Sequence, residues 1–413
     1  MALTSEPQPP TGTTPLARRQ ARLAYGLLAP TLFAVCLVVV LPLLAIFWIS
    51  VKPVALADLR PPTAIAREQF RGSGDDMRIE YRLRNSSQDK IVADVVLTDT
   101  IPDVVTIRGD LPAECMLDEN VLTCRVDEME GGYNERLIIP VSADDPDTAE
   151  DIVEDSDPVV SGRGDNILIN ATFTLENFAD VFDGGEFWSV LWVTLFYTFF
   201  GTIGAIILGL FAALLLDRQF RGQGLLRGLF LFPYVAPIIA VAFTWIILFD
   251  PFSGSVNALL VQMGVVDNAI NFFGQRPFAL IMVTVFAMWG YFPLCFLFIL
   301  ARMQSIPEDM YEAAEMDGAS PFQMFWYLSI PQLLGILSVL FLLRFIWTFN
   351  KFDDIFLLTG GNAGTRTLTV NVYEQAFAVS NIGAGAAVAV VIFFCLLLFS
   401  FFFFRFISRE EGL

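Results

Sequence analysis

The sequence predicts a mostly α membrane protein: six transmembrane helices, with an acidic, β-rich segment inserted between the first and the second. Two observations carry that fold class. The chain is 55% hydrophobic, with 40 Phe, and its mean hydropathy of +0.60 is well above that of a soluble domain. The apolar residues are also gathered into stretches that each suffice to cross about 30 Å of hydrocarbon.

Five of these stretches are uncharged: residues 23–51, 187–216, 228–249, 278–301 and 376–404. A sixth, 333–358, carries Arg344, Lys351, Asp353 and Asp354. The first run is too long for a cleavable leader and no small-residue cleavage pattern follows it, so it is expected to stay as an anchor. Basic residues in the short connections set the orientation. Arg18, Arg19 and Arg22 precede span one, and Arg218, Arg221 and Arg227 join spans two and three. Arg302 follows span four, and Arg405 and Arg409 close span six. All fall on one side of an alternating topology, so both termini are expected in the cytoplasm.

The formal charge of −19 is concentrated in one place. Residues 53–186 hold 30 Asp and Glu against 11 Arg and Lys, while the rest of the chain holds 14 of each sign. In this topology the insert is extracytoplasmic, where a long domain translocates regardless of charge. Its acidity suits a solvated surface, with binding of a metal or cationic ligand as the alternative. Within it, 78–84 and 91–98 alternate apolar and polar residues around the turn Asn85-Ser86-Ser87. Residues 121–126 and 135–141 repeat the pattern around Gly131-Gly132, and together these strands predict a small β-sandwich. The stretch 143–157, rich in Asp, Glu and Pro, reads as a mobile linker. Three cysteines, Cys36, Cys295 and Cys395, lie in spans as small apolar residues. Cys115 and Cys124 lie in the insert, where an oxidising compartment favours a disulfide between them. The expected division is therefore an anchor at 1–52, the insert at 53–186 and a helical core at 187–413.

Between spans four and five stands Glu312-Ala313-Ala314, then Asp317-Gly318, then Leu328-Ser329-Ile330-Pro331. Its offsets resemble the cytoplasmic EAA loop of ABC importer permeases. Small residues keep a short helix thin enough to enter a groove, and Pro331 is expected to end the motif where the next span begins. The resemblance continues in Thr174-Leu175-Glu176-Asn177-Phe178, Leu231-Phe232-Pro233-Tyr234, Phe249-Asp250-Pro251 and Leu358-Thr359-Gly360-Gly361. These pieces are similar to the larger permease subunits of maltose-type carbohydrate importers. The insert instead resembles the immunoglobulin-like repeat domains of bacterial surface proteins, through Leu83-Arg84-Asn85, Val96-Leu97-Thr98-Asp99 and Ile101-Pro102 followed by the cysteine pair. The fold class becomes six transmembrane helices with an extracytoplasmic immunoglobulin-like β-sandwich.

Membership of that family implies a bacterial inner-membrane protein and several partners: a second permease subunit, two ATP-binding subunits, an extracytoplasmic solute-binding protein and membrane lipid. Nucleic acid is not among them. The chain has three lysines, none in a phosphate-binding loop, and no histidine. No catalytic or metal site is expected, and ATP and Mg would be used by the partner ATPase. Glu312, Ala313, Ala314, Asp317, Gly318 and Pro331 are the expected ATPase-coupling residues. For solute, Arg344 is the first candidate, because an ionisable residue inside a span tends to face a wet cavity. Thr348 and Lys351 follow on its helix face, and Trp347 adds an aromatic surface. Trp289, Tyr291 and Leu294 join them at an expected helix break near Pro293. Sugars need fixed hydrogen-bonding groups and a flat apolar face, and both are present here. An interfacial belt for the aromatics and a Lys351–Asp354 salt bridge are the competing reading. A membrane-anchored sensor that binds ligand through the β-sandwich is the alternative function, but it would not need the EAA offsets.

Overall fold

The computed structural model describes residues 15–183 and 185–406; Arg409, used above for orientation, lies outside them. Two compact units form: Lys52–Thr174, and a helical unit made from the chain on either side of it.

Five helices in the helical unit are long and apolar enough to cross a membrane: Arg19–Ser50, Phe187–Asp217, Phe278–Met303, Pro321–Phe349 and Ile382–Arg405. A bent pair, Gln223–Val235 and Ile238–Leu248, stands where the third span is expected, its halves meeting at 91°. The break has a local cause. Ala236 is extended, as the residue before a proline prefers, and Pro237 has no N–H to continue the helix.

The fifth span also differs from the expected 333–358. It starts at Pro321, where Ser320 caps the helix and Gln323 returns the bond, and it stops at Phe349. Pro331 therefore lies inside the span and does not begin it. A π-helical turn over Phe325–Ser329 precedes it, with Ile330 N–H bonded to the Phe325 carbonyl, and this wider turn makes room for the proline ring. Lys351, Asp353 and Asp354 leave the span for a tight connection and a short helix, Asp353–Thr359. No break occurs at Trp289–Pro293: Phe278–Met303 runs through Pro293 unbroken, one lost bond being tolerated inside a packed bundle.

Small residues set the packing of spans two and four. Gly201, Ala205, Gly209 and Ala213 recur at i+4 on one helix face. A Cβ at Gly209 would sit 2.6 Å from that of Cys295, so glycine is required for this approach. Around it Leu216, Phe296, Ile299 and Leu333 are fully buried. The short helix Glu176–Asp183 belongs to this unit as well. Its Val181 packs with Phe187, Phe345 and Val388, so the insert as a compact body ends at Thr174 and not at residue 186. Asn177 reinforces the join by donating to the Ser50 carbonyl at 2.9 Å.

The other unit is built from two four-stranded sheets. One has the order β1-β2-β7-β4, from Ala64–Arg71, Arg78–Asn85, Asn134–Ala143 and Val105–Ile107. The second has the order β5-β6-β3-β8, from Cys115–Asp118, Val121–Met129, Val92–Thr100 and Val159–Gly164. Alternation puts Ile79, Tyr81, Leu83, Ile139 and Val141 of one sheet and Leu97, Leu122 and Cys124 of the other into a single core. Asn85, buried at the turn, crosses between the sheets by donating to the carbonyls of Lys90, Met129 and Glu130. The ends of the insert are joined by Lys52, whose ammonium donates to the Asn170 carbonyl.

The stretch 143–157 is ordered, contrary to the linker expectation. Strand β7 runs to Ala143 and Pro146–Glu154 is a helix. Ala149 and Val153, one turn apart, are fully buried in the core, so two small apolar residues suffice to fix an otherwise acidic segment.

Cys115 and Cys124 are bonded to one another, directly opposite across β5 and β6. The link closes a short loop, and replacing both with Ser should cost the insert about 2–3 kcal/mol of stability. Thermal unfolding of the two proteins checks the loss, and non-reducing mass spectrometry checks the bond.

Beneath the sheets Glu68 is held by Ser156, which donates to Oε2, while Oε1 is buried without a partner. Burial, with Asp99 nearby, pushes its carboxyl up to about 7. Between the ordinary carboxyl pKa and about 7 the folded insert holds a proton that the unfolded chain has released. Its stability should therefore fall as pH rises through that window. Glu68→Gln should flatten the dependence, measured as the thermal midpoint of the sandwich against pH.

Candidate functional site

Arg344 lies on the fifth span with only 3% of its surface exposed. One nitrogen donates to Thr348 Oγ1 at 2.9 Å, one helical turn on, and the guanidinium carbon sits 4.1 Å from the Tyr291 ring centroid. Its Nε is buried without a partner. No carboxylate lies in ion-pair range of it among the described residues. Stacking on the ring partly replaces the water that the cation has lost.

Lys351 follows where the span ends. Its ammonium pairs with Asp353 at 2.8 Å and stands 3.7 Å from Asp354. Asp354 is fully buried and accepts hydrogen bonds from Tyr197 OH at 3.1 Å and Tyr291 OH at 3.3 Å. The Lys351–Asp354 contact of the competing reading is thus present as the longer of two. Tyr291 is the hub: its face receives Arg344, its hydroxyl meets Asp354, and the Lys351 ammonium lies 5.3 Å from its centroid.

A cavity of about 260 Å³ opens beside this cluster, lined by Tyr234, Trp289, Gly290, Tyr291, Lys351 and Asp353. Pro233 and Ala236 at the bend also line it, so the irregular backbone faces a cavity, which is where unpaired backbone groups at membrane depth are tolerated. Lys351, Asp353 and the rings of Tyr234, Phe286, Trp289 and Tyr291 on its wall can hold a solute rich in hydroxyls: donors and acceptors fix orientation while a ring covers an apolar face.

Of the residues singled out in the sequence, Trp289, Tyr291 and Lys351 line the cavity, and Arg344 and Thr348 stand behind Tyr291. Leu294 and Trp347 do not line it, and Trp347 is half exposed. Tyr197 escaped the sequence reading. Its one signal was a phenol in an otherwise apolar span.

A second candidate region surrounds the helix Glu308–Met316. Glu312, Ala313, Asp317 and Gly318 are exposed there. Gly318 has φ +80 and ends the helix: its N–H bonds the Glu315 carbonyl and that of Ala319 bonds the Ala314 carbonyl, both at 3.0 Å. This paired closure needs a left-handed residue, which glycine supplies without strain. Tyr311 ties the helix to the next span through Ser329 at 3.0 Å. Exposed apolar side chains crowd around it, with Met316 at 88% and Tyr327 at 82%.

Residues 205–410 match the family model of the binding-protein-dependent transport system inner membrane component. Among curated relatives, the inner membrane ABC transporter permease protein YcjO of Escherichia coli is 36% identical over 54% of this chain and 75% of its own. The trehalose/maltose transport system permease protein MalF of Thermococcus litoralis is 35% identical over 51% and 70%. The sn-glycerol-3-phosphate transport system permease protein UgpA of Salmonella choleraesuis is 32% identical over 52% and 72%. In fold the chain is similar to a chain of a bacterial alginate ABC transporter in complex with an alginate pentasaccharide-bound periplasmic protein. That match has a TM-score of 0.53 and 19% identity, over 57% of this chain and 83% of that one.

Proposed function

This chain belongs to the family of binding-protein-dependent transport system inner membrane components, and on that premise we propose that it is the pore subunit through which an ATP-driven importer passes a sugar or sugar-like solute. The observation that carries the solute site is Arg344, a cation buried in a membrane span with no counter-ion among the described residues, beside an aromatic-lined cavity. Its relatives named for trehalose/maltose and glycerol phosphate favour a polyol-rich solute. Trp289, Tyr291 and Lys351 contact that solute from the cavity wall, and Arg344 and Thr348 act on it from behind Tyr291.

The helix Glu308–Met316, with its glycine end and exposed apolar surround, docks in a cleft of an ATP-binding subunit. The assembly comprises a second permease subunit, two ATPases that use ATP and Mg, and a solute-binding protein outside the membrane. Both termini lie in the cytoplasm. The insert faces the other side as an immunoglobulin-like sandwich, for which the two sheets and their shared core are the support.

The test is co-purification of the full chain from membranes, followed by solute-stimulated ATP hydrolysis in proteoliposomes across neutral, phosphorylated and acidic sugars. A stable ATPase partner and stimulation by one class are expected. Recovery of the chain alone, with ligand binding confined to the insert, would favour the sensor.

A further inference from the structure

Residues 53–186 carry the whole negative excess of the chain, yet one face of the insert is basic. In β1, β2 and β7, alternate residues point away from the core, and the cross-strand register aligns them in rows. One row is Arg67, Arg82 and Arg136, each directly opposite the next. Arg84 stands one row to one side, and Arg71 and Arg78 pair two rows to the other. Six of the eleven basic residues of 53–186 thus share this face, and Glu80 is the one acid at its outward positions.

Like charges directly opposite across strands destabilise a sheet. Glu80 offsets part of this, reaching Arg78 at 2.8 Å and Arg136 at 3.4 Å. Arg67 and Arg84 have no side-chain hydrogen bond or ion pair among the described residues. All six are arginine, the side chain whose planar fork matches a carboxylate at two points.

We propose that this face binds a linear acidic polysaccharide, its carboxylates laid across the rows of guanidinium groups. The strands extend the face to about 20 Å, long enough for several sugar units in line. Its remaining outward positions include Ile65, Gln69, Asn134 and Ile138 and no aromatic, so it lacks the stacking surface of a neutral sugar. Repeated weak pairs along one chain add up through multivalency. The proposal goes beyond the transport reading and stands apart from it.

The experiment measures binding to the full chain in phosphatidylcholine nanodiscs, with long oligogalacturonate as probe, dextran as neutral control and poly-glutamate as acidic peptide. Oligogalacturonate should bind at low salt and release steeply as the Debye length shortens toward about 8 Å, while dextran stays unbound. The triple change Arg67→Gln, Arg82→Gln and Arg136→Gln should weaken binding at least about tenfold. Should that protein fold poorly, Glu80→Gln supplies the opposite arm and should tighten binding. Absent binding, or binding that ignores both variants, overturns the proposal. Poly-glutamate binding more tightly than the saccharide overturns it in favour of an acidic protein partner. Because the readout is binding and not uptake, its failure is distinct from failure of the transport reading.

Discussion

Replacing Gly318 with Trp should abolish solute uptake while the protein still reaches the membrane. Two effects combine at this residue and can be separated. The first is conformational: φ +80 is left-handed, and a residue with a Cβ there costs about 1–2 kcal/mol, which frays the helix end closed by Gly318 and Ala319. Gly318→Ala carries only that cost and should reduce uptake partially. The second is steric. A Cβ at Gly318 meets nothing within 4 Å among the described residues, and Gly318 is exposed, so a side chain added there starts out toward open space. Total loss with Trp and partial loss with Ala would mean that something outside the chain occupies that space. The measurement is solute-stimulated ATP hydrolysis in proteoliposomes beside membrane yield. Normal stimulation in Gly318→Trp would remove the helix from the ATPase interface.

The spans were legible because hydrophobic length is a local property, and Phe187–Asp217 and Phe278–Met303 begin where their apolar runs begin. The errors came where a tertiary neighbour decided the outcome. The expected fifth span starts too late because the EAA resemblance puts its beginning at Pro331, whereas Ser320 and Gln323 cap a helix well before that proline. Lys351 to Asp354 looked like an extension of that span, since sequence cannot show Tyr197 and Tyr291 drawing Asp354 into a turn. The helix at 146–154 was hidden by its acidity, with two buried residues, Ala149 and Val153, outweighing it. The solute cluster was half visible. Arg344 and Tyr291 announce themselves as polar groups within spans, but their stacking joins residues far apart in the chain.

Arg344→Gln should lower solute uptake about 10- to 100-fold, the range expected when charge-assisted hydrogen bonds worth about 1.5–3 kcal/mol are lost. Glutamine keeps a polar, hydrogen-bonding end but is shorter than the guanidinium arm that reaches Thr348, and it removes the charge. If Arg344 serves only the fold, through its bond to Thr348 and its stacking on Tyr291, removing it should lower the yield of the assembled complex. If Arg344 meets the solute, the complex should assemble normally, basal ATP hydrolysis should persist, and uptake alone should fail. Arg344→Lys sharpens the distinction, because an ammonium keeps the charge but loses the planar fork and its stacking on Tyr291. It should recover part of the lost uptake if charge is what the solute needs. Unchanged uptake in Arg344→Gln would take this residue out of the pathway, and loss of the assembled complex would make it structural.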